Sequence, residues 1–131
     1  NCISKINELE FASGANDGNI YIWDFKSKER VAELLGHEDA VLNIVCMDKN
    51  NMISNSYDKQ IIHWNIKDYK LETEYYSYDY SEILDEIDAP EHVDIEWKMC
   101  RVNDSLIASA GEDNCVKVWN FRTGKVLKYL Q

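Results

Sequence analysis

The sequence is short of the groups on which metal, cofactor and membrane chemistry depend. No two of its four cysteines (Cys2, Cys46, Cys100 and Cys115) form a C-x-x-C pair, and no spacing among them suits zinc. They are expected as buried or half-buried free thiols, Cys46 and Cys100 in apolar strand context, and free thiols favour a reducing, intracellular compartment, cytoplasmic or nuclear. The five glycines are scattered at turn-like positions, so no glycine-rich phosphate loop is present, and there is no G-x-S-x-G nucleophile elbow. No uncharged run approaches the ~18 residues that a membrane helix needs. No cofactor, metal or membrane contact is therefore expected.

Basic residues are missing from one long stretch. Between Leu71 and Trp97 there are ten acids (Glu72, Glu74, Asp79, Glu82, Asp85, Glu86, Asp88, Glu91, Asp94 and Glu96) and neither Lys nor Arg. Removing them from the 24 acids of the chain leaves 14, equal to the 14 bases, so this segment alone carries the net charge of -10. An acidic surface disfavours direct contact with nucleic acid phosphates and suits a basic protein or peptide partner.

What the chain does have is a repeat. Ser13, Asp17 and Trp23 recur as Ser54, Asp58 and Trp64 and again as Ser109, Asp113 and Trp119, each Asp four residues after its Ser and each Trp six after its Asp. The periods are 41 and 55 residues, and His37 and His92 each lie 17 residues before the serine of their unit. Around the anchors each unit reads as an apolar strand, a polar turn at the Asp, and a second strand of alternating β-branched and polar residues. Asn7, Asp48 and Asn103 share a register suited to the preceding turn, and Val31 to Leu35, Leu71 to Tyr76 and Val126 to Leu130 follow as further strands. Each unit thus supplies about four strands, as stacked supersecondary repeats do.

With Gly36-His37, Trp23-Asp24, its relaxed forms Trp64-Asn65 and Trp119-Asn120, and Thr123-Gly124, the chain resembles the WD-repeat β-propeller family over nearly its whole length. The departures are Glu91 where the family has glycine, two Asn for Asp, and His63 at an inward strand position held by Ile22 and Val118 in the other units, where a buried His needs a partner. The resemblance implies an all-β fold of three four-stranded antiparallel blades (1–36, 37–77 and 91–131) in a seven-bladed ring, the remaining blades expected in the same chain. It also implies a side-chain hydrogen-bond network: His37, Ser54, Asp58 and Trp64 in the second blade, His92, Ser109, Asp113 and Trp119 in the third, and Ser13, Asp17 and Trp23 in the first. Ser, His and Asp are also the types of a nucleophilic triad, but a triad occurs once and exposes its serine, whereas this set repeats inside strands. Catalysis is not expected.

The second period is the longer one because Trp64 to His92 spans 28 residues where Trp23 to His37 spans 14. The extra length is an acidic insertion, 77–90, between the outer strand of one blade and the inner strand of the next. The family places such connections on the disc face used for partners, together with the turns holding Asn16, Tyr57 and Glu112. Long loops concentrate function. Asp79 and Glu82 have capping-box spacing, with Ile83, Leu84 and Ile87 as the apolar side of a short helix, and Asp85, Glu86 and Asp88 add charge. The expected role is a non-catalytic interaction scaffold for a basic partner. The alternatives are a scaffold domain within a larger protein, or a substrate receptor of a cullin-type ubiquitin ligase, for which Arg122 follows Trp119-Asn120 at the family's spacing.

Overall fold

The computed structural model describes residues 2–76, 96–111 and 116–130, with the side chains of 75, 76, 96 and 97 excepted. The described residues form twelve strands: β1 (Cys2–Lys5), β2 (Glu10–Gly14), β3 (Ile20–Asp24), β4 (Arg30–Leu34), β5 (Val41–Cys46), β6 (Asn51–Ser56), β7 (Gln60–Asn65), β8 (Lys70–Tyr76), β9 (Glu96–Arg101), β10 (Leu106–Gly111), β11 (Val116–Asn120) and β12 (Lys125–Leu130). They form three four-stranded meanders, β1 to β4, β5 to β8 and β9 to β12, with every pairing antiparallel. The first strands of the sheets lie side by side, β1 against β5 and β5 against β9. All-β architecture in three four-stranded blades is therefore what the chain adopts.

The turns are built by repeated side-chain acceptors. Asn7 Oδ1 accepts from the amides of Leu9 and Glu10, Asp48 Oδ1 from Asn50 and Asn51, and Asn103 Oδ1 from Ser105 and Leu106, all at 2.8 to 3.0 Å. After each tryptophan the same device returns, with Asp24, Asn65 and Asn120 accepting from the amides two and three residues on. Only one side-chain oxygen is used, so Asn serves as well as Asp, and the two relaxed Trp-Asn pairs cost the fold no turn. Five residues after each tryptophan the backbone is left-handed, at Lys28 (φ 62), Tyr69 (φ 57) and Gly124 (φ 72). A bulge sits beside each of the three repeat tryptophans, between Ile22 and Trp23, His63 and Trp64, and Val118 and Trp119, re-aiming the ring relative to the strand.

Two apolar seams hold the sheets together. The first joins Ala12, Ile20, Ile22 and Leu34 to Val41, Met52, Ile62, Trp64 and Ile66. The second joins Met47, Ile53 and Ile61 to Ile107, Trp119, Phe121 and Val126. Strand β7 therefore buries both faces, Ile62 and Trp64 toward the first sheet and Ile61 and His63 toward the third, while β3 and β11 bury mainly one. His63 has its partner: Nε2–H donates to Asn51 Oδ1 at 2.7 Å, and the ring meets Phe121 edge-on at 5.0 Å. The cysteine reading needs one correction, since Cys2 and Cys46 are half-buried and free but Cys100 is exposed; Cys115 lies outside the described residues.

Candidate functional site

The hairpin turns β2–β3 and β6–β7 emerge at one end of the stacked sheets, and the segment linking β4 to β5 runs between them. Ala15 O accepts from Val41 N at 3.0 Å, and Ala40 O accepts from Tyr57 N at 3.1 Å, so the two turns flank residues 37–41. Gly18 is required here. Its φ is +88°, and a Cβ on it would stand 2.5 Å from the carbonyl oxygen of His37.

Beneath this end lies the network of the second sheet. Trp64 Nε1–H can only donate, and it does so to Ser54 Oγ at 2.7 Å. Asp58 Oδ2 can only accept, and it takes Nδ1–H of His37 at 2.9 Å. The remaining bond, 2.7 Å between His37 Nε2 and Ser54 Oγ, must then run from the hydroxyl to the ring nitrogen. The chain Trp64 to Ser54 to His37 to Asp58 leaves no proton unused. Asp58 also accepts from the amides of Glu38 at 2.9 Å and Gln60 at 2.8 Å. Burial pushes its carboxyl up, and the His37 and backbone hydrogen bonds outweigh that and hold it below the ordinary aspartate value.

In the other sheets the structure brings together a subset. Trp23 donates to Ser13 at 2.8 Å and Trp119 to Ser109 at 2.7 Å. Asp17 is exposed and closes its own turn, accepting from Asn19 N at 2.9 Å and from the Tyr21 hydroxyl at 3.2 Å. His92, Asp113 and Glu112 lie outside the described residues, as do Asp79, Glu82, Ile83, Asp85, Glu86, Ile87 and Asp88 of the acidic segment. Ser54 is fully buried and already bonded to Trp64 and His37, so its oxygen is closed to a substrate.

Around the turns, Asn16 and Tyr57 are exposed, and the carboxylates of Asp17, Glu33, Glu38 and Asp39 stand near them with Lys59 as a nearby base. The acidic segment joins the sheets at this same end. Strand β8 finishes at Tyr76 opposite Gln60, and β9 begins at Glu96 opposite Gly111, each beside the hairpin turn of its sheet. Arg122 lies at the far end, in the β11–β12 turn, exposed, with its guanidinium 4.8 Å over the Phe121 ring. Sequence reasoning missed Glu38 and Asp39 as members of the acidic end and Gln60 as a network donor. Their adjacency to His37 and Asp58 was the available signal. It also missed Lys117, which is buried in a strand where the other sheets carry Tyr21 and Ile62.

The model of the WD domain, G-beta repeat, matches residues 1–24, 28–65 and 98–120. Meiotic fizzy-related protein 1 of Schizosaccharomyces pombe is 28% identical over 118 residues, covering 90% of this chain and 25% of that protein. The anaphase-promoting complex subunit cdh1 of Dictyostelium discoideum is 29% identical over 116 residues, covering 86% of this chain and 13% of that protein. The chain thus spans a quarter or less of the length of these relatives. The solved structure of U3-55K superposes with a TM-score of 0.76 at 20% identity, over 96% of this chain and 35% of that one, a likeness of fold.

Proposed function

The chain belongs to the WD40 repeat family, and from that premise we propose a non-catalytic interaction scaffold whose shared turn end, with the acidic segment, takes a basic protein or peptide. One observation supports the reading: the acidic segment leaves the second sheet at Tyr76, beside the turn of Tyr57, and enters the third at Glu96, opposite Gly111, at the end of the sheets where the carboxylates of Asp17, Glu33, Glu38 and Asp39 stand. Charge gathered on one surface of a rigid disc steers an oppositely charged partner and raises its encounter rate. The closed Ser54 hydroxyl speaks for a network that braces the turns and against a nucleophile. The name of one relative places it in the anaphase-promoting complex, which is compatible with a role inside an assembly.

The test is kinetic. A Lys/Arg-rich peptide is bound to the wild-type chain and to a variant with Glu82, Asp85, Glu86 and Asp88 changed to Ser. The association rate should fall in the variant while the dissociation rate stays near wild type. Wild-type affinity should fall as salt rises from about 0.05 to 0.5 M, where the screening length drops below about 5 Å. An unchanged association rate with no salt dependence overturns the reading.

A further inference from the structure

We infer that Gln60 and Glu74 together recognise an arginine side chain of the partner, which rests on the basic-partner reading above and adds the residues that would read it. Gln60 opens β7 directly after the turn of Tyr57, and its backbone amide closes that turn on Asp58 Oδ1 at 2.8 Å. The turn therefore has no use for the side chain. Its Oε1 is buried and accepts no hydrogen bond, the one such side-chain atom among the described residues. A buried acceptor in that state carries its full desolvation penalty, so its presence calls for an explanation.

The first sheet shows what the same register looks like when it is filled. Asn19, like Gln60, stands two residues after its turn aspartate, and its backbone amide donates to Asp17 Oδ1 at 2.9 Å. Its Nδ2 is also in reach of Asp17 Oδ2 at 3.3 Å, the Tyr21 hydroxyl at 3.3 Å and Glu33 Oε1 at 3.2 Å. In the second sheet Ile62 takes the place of Tyr21 and has no hydroxyl to offer. Glu74 takes the place of Glu33, pairing with Ile62 as Glu33 pairs with Tyr21, and it is exposed. Strand alternation puts Gln60 on the face of Ile62 and Glu74. An amide oxygen and a carboxylate thus stand on one face at the turn end, and both are acceptors. A guanidinium is a planar fork of N–H donors with no acceptor of its own, and it can serve both at once. An ammonium is a compact, strongly hydrated point charge and suits the pair less well. The acidic segment would govern encounter through long-range charge, whereas this contact would govern residence.

Rates separate the two. Association and dissociation of an Arg-rich peptide and of its Arg→Lys counterpart are measured on the wild-type chain, on Gln60→Met and on Gln60→Glu. The wild type should hold the Arg peptide longer than the Lys peptide. Gln60→Met, which keeps the length of the side chain without its acceptor, should release the Arg peptide about tenfold faster at an unchanged association rate, removing the difference. Gln60→Glu restores an acceptor and should restore slow release. The melting temperature of Gln60→Met should equal or exceed that of wild type, because a buried acceptor without a partner has been removed. A lowered melting temperature would assign the amide to the fold and overturn the inference. Equal residence of the two peptides on wild type also overturns it, as does unchanged release from Gln60→Met. Should peptide binding ignore both salt and the fourfold Ser variant, the basic-partner reading falls as well. Should that charge dependence hold while Gln60→Met behaves as wild type, the arginine contact alone is lost.

Discussion

The first and second sheets carry the same Ser, Asp and Trp at the same spacing, yet these residues have different surroundings. Trp64 is covered by the first sheet and ends a chain of hydrogen bonds that runs through Ser54 and His37 to Asp58. Trp23 makes the same bond to its serine, at 2.8 Å, but its ring is only partly buried, and Asp17 faces solvent and ties up its own turn. Local sequence sets the strand, the bulge and the indole bond. The neighbouring sheet, and the loop it hands over, decide whether those groups become a desolvated network. The difference lives on the packing link of the chain from sequence to function, one step above secondary structure.

The largest effect that would break this comparison is at the rings. Trp64→Ala should cost about 3 to 5 kcal/mol in urea unfolding, as for other buried aromatic truncations. Trp23→Ala should cost well under half of that, because less surface leaves water there on folding. Equal losses would mean that the seam does not matter. Next come the carboxylates. Asp58→Ala orphans Nδ1–H of His37 and two backbone amides and should cost about 1 to 3 kcal/mol. Asp17→Ala removes bonds among exposed groups and should stay within about 0.5 kcal/mol.

A third prediction concerns the seam between the second and third sheets. Burial, the largest influence, pushes the His63 imidazole below its ordinary value; Glu72 and Asp48 pull it up and Arg122 pushes it down. The folded state therefore prefers the neutral ring. Stability should be complete above the unfolded value of about 6.5 and should erode below it, by at most about 1.4 kcal/mol per pH unit. His63→Gln keeps a donor for Asn51 without titrating, and its stability should be flatter between pH 7.5 and 5.5. A slope identical to wild type would exonerate His63. A change of opposite sign is expected at the left-handed turn. Lys28→Gly, matching Gly124 at the same register, should stabilise by up to about 1 kcal/mol, since an L side chain there carries a steric cost. A loss of stability would show that the strain is absent.

Much of this was legible in the residues. The hairpins followed from alternation around each Asp, and the turn acceptors Asn7, Asp48 and Asn103 from their shared register, because both depend on neighbours in sequence. The partner of His63 was less visible, though Asn51 lies on the adjoining strand near where antiparallel pairing brings it. Which face of each strand meets which sheet was not legible. The burial of Lys117 and the exposure of Cys100 depend on contacts between units that a single repeat does not encode. Lys28 and Tyr69 hid their left-handed backbone because glycine marks that position in one unit of the three.

The central claim is that the sheet alongside, rather than the local bond, determines how each tryptophan is protected. Hydrogen exchange of the indole Nε1–H groups of Trp23, Trp64 and Trp119, followed by NMR in dilute protein, tests it without a single substitution. All three donate to a serine oxygen at 2.7 to 2.8 Å, so local geometry alone would give them the same protection. The account predicts that Trp64 and Trp119, buried in the seams, exchange slowly and together, and that Trp23 exchanges much faster. Equal protection at all three positions would contradict it.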